Sequence, residues 1–299
     1  MSKEAYLNEL SNHAFRENSG KMVAYLCKTY GLHHLDAIGD IVQDTFETAL
    51  KKWRFNSIPD NPSAWLMTVA KNKAINYFKK AQKTDFIEND SLLADGFIET
   101  ETSPNLEEVQ DSQLRLLLSC CHPGLSEKSQ VILTLNILSG FGIQEISSAL
   151  LMKKEAVKKA LMRAKKYLRD DVQKLDPLLE LDNVKRVQII HTVLYLMFNE
   201  GYKLTKSKQL INHDLCYESM RLCKLLLTEK SALKNETQAL IALQFFTVAR
   251  YPSRLNSHGS IVLLADQDRS KWNQQLIKEG FYYLDEAKKP NIIHKYLIE

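Results

Sequence analysis

The chain has 299 residues, 44% apolar and 25% charged, the balance of a folded protein with room for two or three compact domains rather than of a disordered or fibrous one. No apolar run approaches the roughly 18 to 20 residues that span a bilayer, and the start, MSKEAYLNELSNHAF, lacks the basic-then-apolar layout of a signal peptide, so the cytoplasm is the expected location. The net charge of +4 is unevenly spread: Lys71 to Lys83 holds five lysines and no acid, Thr84 to Leu114 nine acids and no base, and Lys153 to Arg169 eight bases and one acid, Glu155. The five cysteines, Cys27, Cys120, Cys121, Cys216 and Cys223, lack the dense spacing of a disulfide scaffold and are expected as reduced thiols.

Glycine and proline are scarce and alternating β-branched patterns are rare, whereas helical periodicity recurs throughout, which predicts an all-α fold. In DAIGDIVQDTFETALKKW, Ile38, Ile41, Val42, Phe46, Ala49 and Trp53 share one helical face, and Asp40, Gln43, Asp44 and Glu47 occupy another that is free for a partner. RFNSIPDNPSAW is expected as a loop, Arg54 to Asn61, broken by Pro59 and Pro62, with Asn61 capping a helix from about Pro62 to Lys80. On that helix Leu66, Val69, Ala70, Ala74, Tyr77 and Phe78 form an apolar stripe, while Thr68, Asn72, Asn76 and Lys79 recur on another side. Asn can pair with adenine edges and Lys neutralises phosphate, so this side is chemically suited to nucleic acid, although on composition alone a charged helix face is more often just solvated surface.

The acidic stretch at 84–112 has no sustained periodicity and is expected as a flexible linker, able to shield the basic helices from each other. After it, Val131, Leu135 and Leu138 face inward on a helix that Gly140 ends, and Ile143, Ile146, Ala149 and Leu150 mark a short helix. A three-to-four-residue turn leads to a helix from about Lys154 to Leu168. It should bury Val157, Leu161, Ala164 and Leu168 and turn Lys158, Lys159, Arg163, Lys165 and Lys166 outward. The layout is that of a helix-turn-helix, whose second member enters the major groove, or of an ordinary helical hairpin. Residues 185 to 289 read as further amphipathic helices that would stack in pairs without an exact repeat.

DIVQDTFETAL, then PDNPSAWLMTVAKNKAINYFKK, then GIQEISSALLMKKEAVKKALMRAKKYL together resemble the two conserved regions of extracytoplasmic-function RNA polymerase sigma factors, over about residues 8 to 170. The resemblance implies a transcription initiation factor that catalyses no covalent step, binds core RNA polymerase (β′ coiled coil and β subunit) and promoter DNA, and needs no cofactor. It places Asp40, Gln43, Asp44 and Glu47 on the β′ coiled coil, and Lys71, Asn72, Lys73, Asn76, Lys79 and Lys80 at the minus-ten element. Arg54 and Phe55, in the loop that helps to hold the opened strand, could supply the cation and aromatic that single-strand capture uses. Lys154, Lys158, Lys159, Arg163 and Lys166 fall at the minus-thirty-five element, with Arg163 the best base reader because it alone among them can fork onto guanine. Asn76 stands where the family usually has Asp, and lysines replace its arginines, which keeps phosphate charge but loses the bidentate fork.

VLYLMFNEGY, LLADQDRSKWN and CCHPGL resemble signatures of a subgroup with a C-terminal helical extension related to tetratricopeptide repeats. The expected organisation is therefore region 2 at 1–83, an acidic linker at 84–112, region 4 at 113–172, and at 177–299 an extension that a regulatory protein could use. In the subgroup the extension usually continues beyond this point, so the chain is either short for its kind or a piece. Cys120, Cys121 and His122 are expected to pack rather than bind metal, and Asp268 or Ser270 to cap the helix containing Trp272. No Walker loop, G-x-S-x-G or H-E-x-x-H occurs. Two rival readings stay open: a stand-alone helix-turn-helix regulator, and a helical protein-interaction scaffold.

Overall fold

The structure, a computed structural model, describes residues 18–55, 58–88, 106–172, 183–202, 213–227, 231–256, 260–289, 293 and 295–298. The chain is all-α: among these residues no strand forms, and one antiparallel bridge joins Leu255 to Ile261. α1 (18–30) leads through a 3-10 turn to α2 (Leu35–Phe55), against which α3 (Pro62–Glu88) packs. All six apolar positions expected on the inner face of α2 are buried, and Asn61 caps α3 by accepting from the Ala64 N–H at 3.0 Å. Phe78 closes this first core by stacking on Tyr30, with ring centroids 4.2 Å apart.

Four details differ from the sequence expectations. α2 runs through Phe55, so Arg54 and Phe55 belong to this helix rather than to the expected loop. α3 continues past Lys80 to Glu88, because no glycine or proline interrupts that stretch. α4 (Leu106–Cys120) takes in the last residues of the expected linker. Glu107 and Glu108 in its first turn favour the positive helix end, and Val109, Leu114, Leu116 and Leu117 supply a buried face. Tyr77, expected in the apolar stripe, is 49% exposed beside a fully packed Phe78, because the stripe is narrower than its residues allow.

α5 (Glu127–Ile137) is capped by Ser126, and the chain leaves it through Gly140 at φ 65°, the left-handed conformation that glycine adopts without strain. α6 (Ile143–Ala149) and α7 (Lys154–Tyr167) follow, joined by a tight turn, and a short π turn, Leu168–Val172, extends α7. Val157, Leu161, Ala164 and Leu168 are buried as expected. Lys165, expected to point outward, is instead half-buried, drawn to Asp36 of α2 at 3.6 Å.

The extension begins, among the described residues, with α8 (Val184–Tyr202), which pairs with α9 (His213–Leu225), while α10 (Lys234–Ala249) pairs with α12 (Gln274–Lys288). The expected start at 177 lies outside the described residues. α11 (Tyr251–Arg254) and α13 (Lys295–Ile298) are single turns, and Tyr296 of α13 is buried against His191 and Tyr195 of α8. α8 also packs on α5: Ser139 Oγ donates to Met197 Sδ at 3.1 Å, and the buried Arg186 donates from Nε to the Cys121 carbonyl at 3.1 Å. The extension is thus fastened to the back of the helix-turn-helix. No helix among the described residues is long and apolar enough to cross a membrane.

Candidate polymerase and nucleic-acid interfaces

α2 separates its two faces cleanly. Asp40, Gln43, Asp44 and Glu47 are all exposed, opposite a buried stripe that anchors the helix. The result is a fixed acidic ridge with its side chains free to meet a basic partner. Lys73 of α3 donates from Nζ to the Asp44 backbone carbonyl at 2.9 Å, tying the two helices together under that ridge.

On α3, Asn72, Asn76, Lys79 and Lys80 are exposed and Lys71 and Lys73 half-buried. Lys73 is partly committed to α2, which sets it apart from the residues facing outward. Sequence reasoning missed Tyr77: next to Asn76 and one turn from Lys73, its ring offers a face on which an unstacked base can lie. The signal was an aromatic adjacent to the polar series, masked by its place in the apolar pattern. The Arg54 and Phe55 side chains lie outside the described residues.

In the helix-turn-helix, Lys154, Lys158, Lys159, Arg163 and Lys166 of α7 are all exposed. Lys159, Arg163 and Lys166 project from the side opposite Val157, Leu161 and Ala164, while Lys154 and Lys158 flank that buried stripe. Arg163 folds back on its own helix, Nε donating to the Lys159 carbonyl at 3.3 Å, and occupies the tenth position of α7, whereas Lys154 opens it. The turn before α7 carries Leu151 at φ 52° and 93% exposed, a left-handed conformation costly for a leucine. Ser147 holds it there by accepting the Met152 N–H on its carbonyl at 2.9 Å and donating its hydroxyl to the Met152 carbonyl at 2.6 Å.

The cysteines and the DQD run have structural explanations. Cys120 and Cys121 are fully buried, and burial pushes the Cys121 thiol up to about 12, far from the thiolate that binds metal. His122 Nδ1 accepts the Gly124 N–H at 3.1 Å and meets the Tyr167 hydroxyl at 3.2 Å, which pins the α4–α5 corner onto α7. Asp268 caps a turn, as expected, but a 3-10 turn, Arg269–Lys271, that ends before Trp272; Asn273 caps α12 instead. The Trp272 Nε1–H reaches Ser253 Oγ at 2.8 Å, and the buried Gln267 donates to the Val262 carbonyl at 3.1 Å. Among the described residues no group of three His, Cys, Asp or Glu could hold a metal ion.

The helices α1–α3 and α4–α7 face each other across a cleft of about 510 Å³ lined by Asp36, Gly39, Asp40 and Gln43 from α2, by Asn136 from α5 and by Gly140–Gly142 from the α5–α6 turn. Asp36 bridges this gap to Arg169 at 2.9 Å and to Lys165 at 3.6 Å, and Lys28 of α1 reaches Asp111 of α4 at 3.2 Å. Gly20 of α1 lies so near the turn that a Cβ there would stand 2.3 Å from the Leu138 carbonyl oxygen.

Residues 15–84 match the family Sigma-70 region 2, residues 115–168 Sigma-70, region 4, and residues 186–288 a family of unknown function, DUF6596. The chain is 32% identical over 257 residues to an uncharacterized protein of Rhizobium meliloti (strain 1021), an alignment that covers 85% of this chain and 60% of that protein's length. No solved structure matches the chain significantly. Region 2 followed by region 4 is the arrangement typical of extracytoplasmic-function sigma factors of the sigma-70 family, and here a DUF6596 domain stands behind them.

Proposed function

We infer that the protein is a transcription initiation factor: it binds core RNA polymerase through the acidic ridge of α2 and directs it to promoters, with α3 at the minus-ten element and α7 at the minus-thirty-five element. The observation that carries this reading is the segregation of charge. Asp40, Gln43, Asp44 and Glu47 stand exposed on one helix, opposite its buried stripe, and Lys154, Lys158, Lys159, Arg163 and Lys166 stand exposed on another, opposite or beside its buried stripe. A basic protein surface fits the first and phosphate the second. The roles follow the division expected from the sequence, with region 2 up to residue 83, the acidic stretch after it, region 4 up to 172 and the extension from 177. The extension, fastened to α5 by Ser139–Met197 and to the α4–α5 corner by Cys121–Arg186, supports region 4 from behind and leaves its outer helices to a regulatory partner.

Co-elution of the full chain with bacterial core RNA polymerase, side by side with an Asp40→Lys, Asp44→Lys variant, tests the reading. Binding by the wild type and its loss in the variant is expected. A folded wild type that binds duplex DNA and ignores the polymerase would instead establish a stand-alone regulator.

A further inference from the structure

α12 is fixed to the extension on one side only. Gly280 and Ala287 are buried there, and Tyr283 stacks on Phe245 of α10 with ring centroids 5.7 Å apart. On the opposite side Gln274, Lys278, Phe281, Asp285 and Lys288 recur at steps of four and three, all exposed, with Tyr282 and Gln275 beside them. Phe281 is 53% exposed and Tyr282 61%. Surfaces that only face water scatter such residues singly, whereas two adjacent aromatic rings ringed by polar side chains are the makeup of an interface centre and its rim. Both rings are braced from behind: Phe281 meets Phe246 of α10 edge-on with centroids 5.0 Å apart, and Tyr282 meets Tyr283 in the same way at 5.3 Å. A ring already held in place loses little freedom on binding.

The stripe is complementary to itself. Lys278 and Asp285 lie at equal distances on either side of the point between Phe281 and Tyr282. A second copy turned about a two-fold axis through that point runs antiparallel, and sets Lys278 against the partner's Asp285 and Asp285 against the partner's Lys278. In this register Gln274 and Gln275 face the partner's Lys289 and the partner's Lys288, the aromatic rings meet at the centre, and no like charges are opposed. An axis at Tyr283 would instead set Lys278 against the partner's Lys288, so charge selects the register. Among the described residues neither Lys278 nor Asp285 spends its charge on an ion pair within the chain.

We propose that α12 is a self-association surface, on which two copies of this chain pair antiparallel with Phe281 and Tyr282 at the core and two reciprocal Lys278–Asp285 pairs at the rim. The inference does not rest on the initiation-factor reading. α12 packs on α10, and α8 lies between α10 and α5, so the surface is separate from the acidic ridge and from the helix-turn-helix. A helix of 15 residues is about 22 Å long, and two such strips bury roughly 1,000 Å² together, the lower limit for a specific interface. The dimer is therefore an exchanging one, with a Kd on the order of 10 µM.

Sedimentation equilibrium of the full chain, from about 1 to 200 µM, brackets that value and tests the pairing. A reversible shift from monomer to dimer is expected. Lys278→Asp and Asp285→Lys each oppose like charges across the axis, and each should raise Kd about tenfold, while the chain carrying both changes restores opposite charges and should return to within about threefold of the wild type. Tyr282→Ala should also weaken the dimer. These side chains are exposed, so unchanged thermal unfolding of the monomer is expected in every variant. A wild type that stays monomeric at every concentration overturns the proposal and gives the face to a different protein. A dimer that ignores both single charge reversals, or that the double exchange fails to restore, overturns the pairing along α12.

Discussion

Arg169 donates from its guanidinium to Asp36 at 2.9 Å, although 133 residues separate them in the chain. Beside that pair, Gly20 meets the Leu138 carbonyl with no room for a side chain. The obstacle is backbone, which cannot swing aside as a side-chain tip would. Gly20→Ala is therefore expected to push α1 off the α5–α6 turn and to cost about 1 to 3 kcal/mol, in the range of overpacked sites. Thermal unfolding of the variant checks this; an unchanged midpoint would show that the backbone yields easily.

Leu151→Gly is expected to stabilise the protein by about 1 kcal/mol, since glycine adopts a positive φ without the Cβ clash. The side chain is almost wholly exposed, so its removal sacrifices little apolar packing. Denaturant unfolding with unchanged slope and a raised midpoint is the expected result.

Tyr77→Ala is expected to weaken capture of the opened minus-ten strand by about 1 to 3 kcal/mol, the range for stacking of a base on an aromatic ring. Tyr77→Phe should retain most of it, because the ring and not the hydroxyl provides the platform. Affinity of the polymerase-bound factor for a single-stranded promoter oligonucleotide measures the effect, with duplex binding as the control.

Replacing Lys158 and Lys159 with Ala should weaken binding to all promoter sequences alike and reduce the slope of log affinity against log salt by about two, near 0.9 for each phosphate no longer neutralised. A change in sequence preference at one base pair, with an unaltered slope, would assign these lysines to base edges instead.

Asp111 ties α4 to α1 and braces its own helix through Arg115. Burial alone would raise its carboxyl, but hydrogen bonds from Arg115 at 2.9 Å and Lys28 at 3.2 Å outweigh that and hold it below the usual carboxylate value. A group with a depressed folded value adds stability above its unfolded value, near pH 4, and loses it as pH falls through the folded value. Asp111→Asn should lower stability at neutral pH by less than about 1 kcal/mol, the pair being partly screened, and should flatten the acid limb of the stability profile. Parallel limbs in the two proteins would contradict the assignment.

The faces of individual helices were legible in the sequence, because a 3.6-residue period depends only on neighbours along the chain. Ile38 to Trp53 are buried and Asp40 to Glu47 exposed as their spacing requires, and α7 sorts Val157, Leu161 and Ala164 from Lys158, Lys159 and Arg163 in the same way. Asn61 and Gly140 likewise marked a cap and an end through local backbone chemistry. Tertiary structure alone decided what meets across distance. Lys165 has the same charge and helix as Lys166, yet one pairs with Asp36 and the other stays exposed, since only packing of α7 beside α2 brings a carboxylate to the first. Tyr77 reads as core by pattern and is half exposed, because α3 meets its neighbours along a narrower line than its apolar residues occupy. The closure of region 2 on region 4 belongs wholly to this second kind: Gly20, Asp36 and Arg169 carry no local signal of one another, and their relation exists only once three helices have packed.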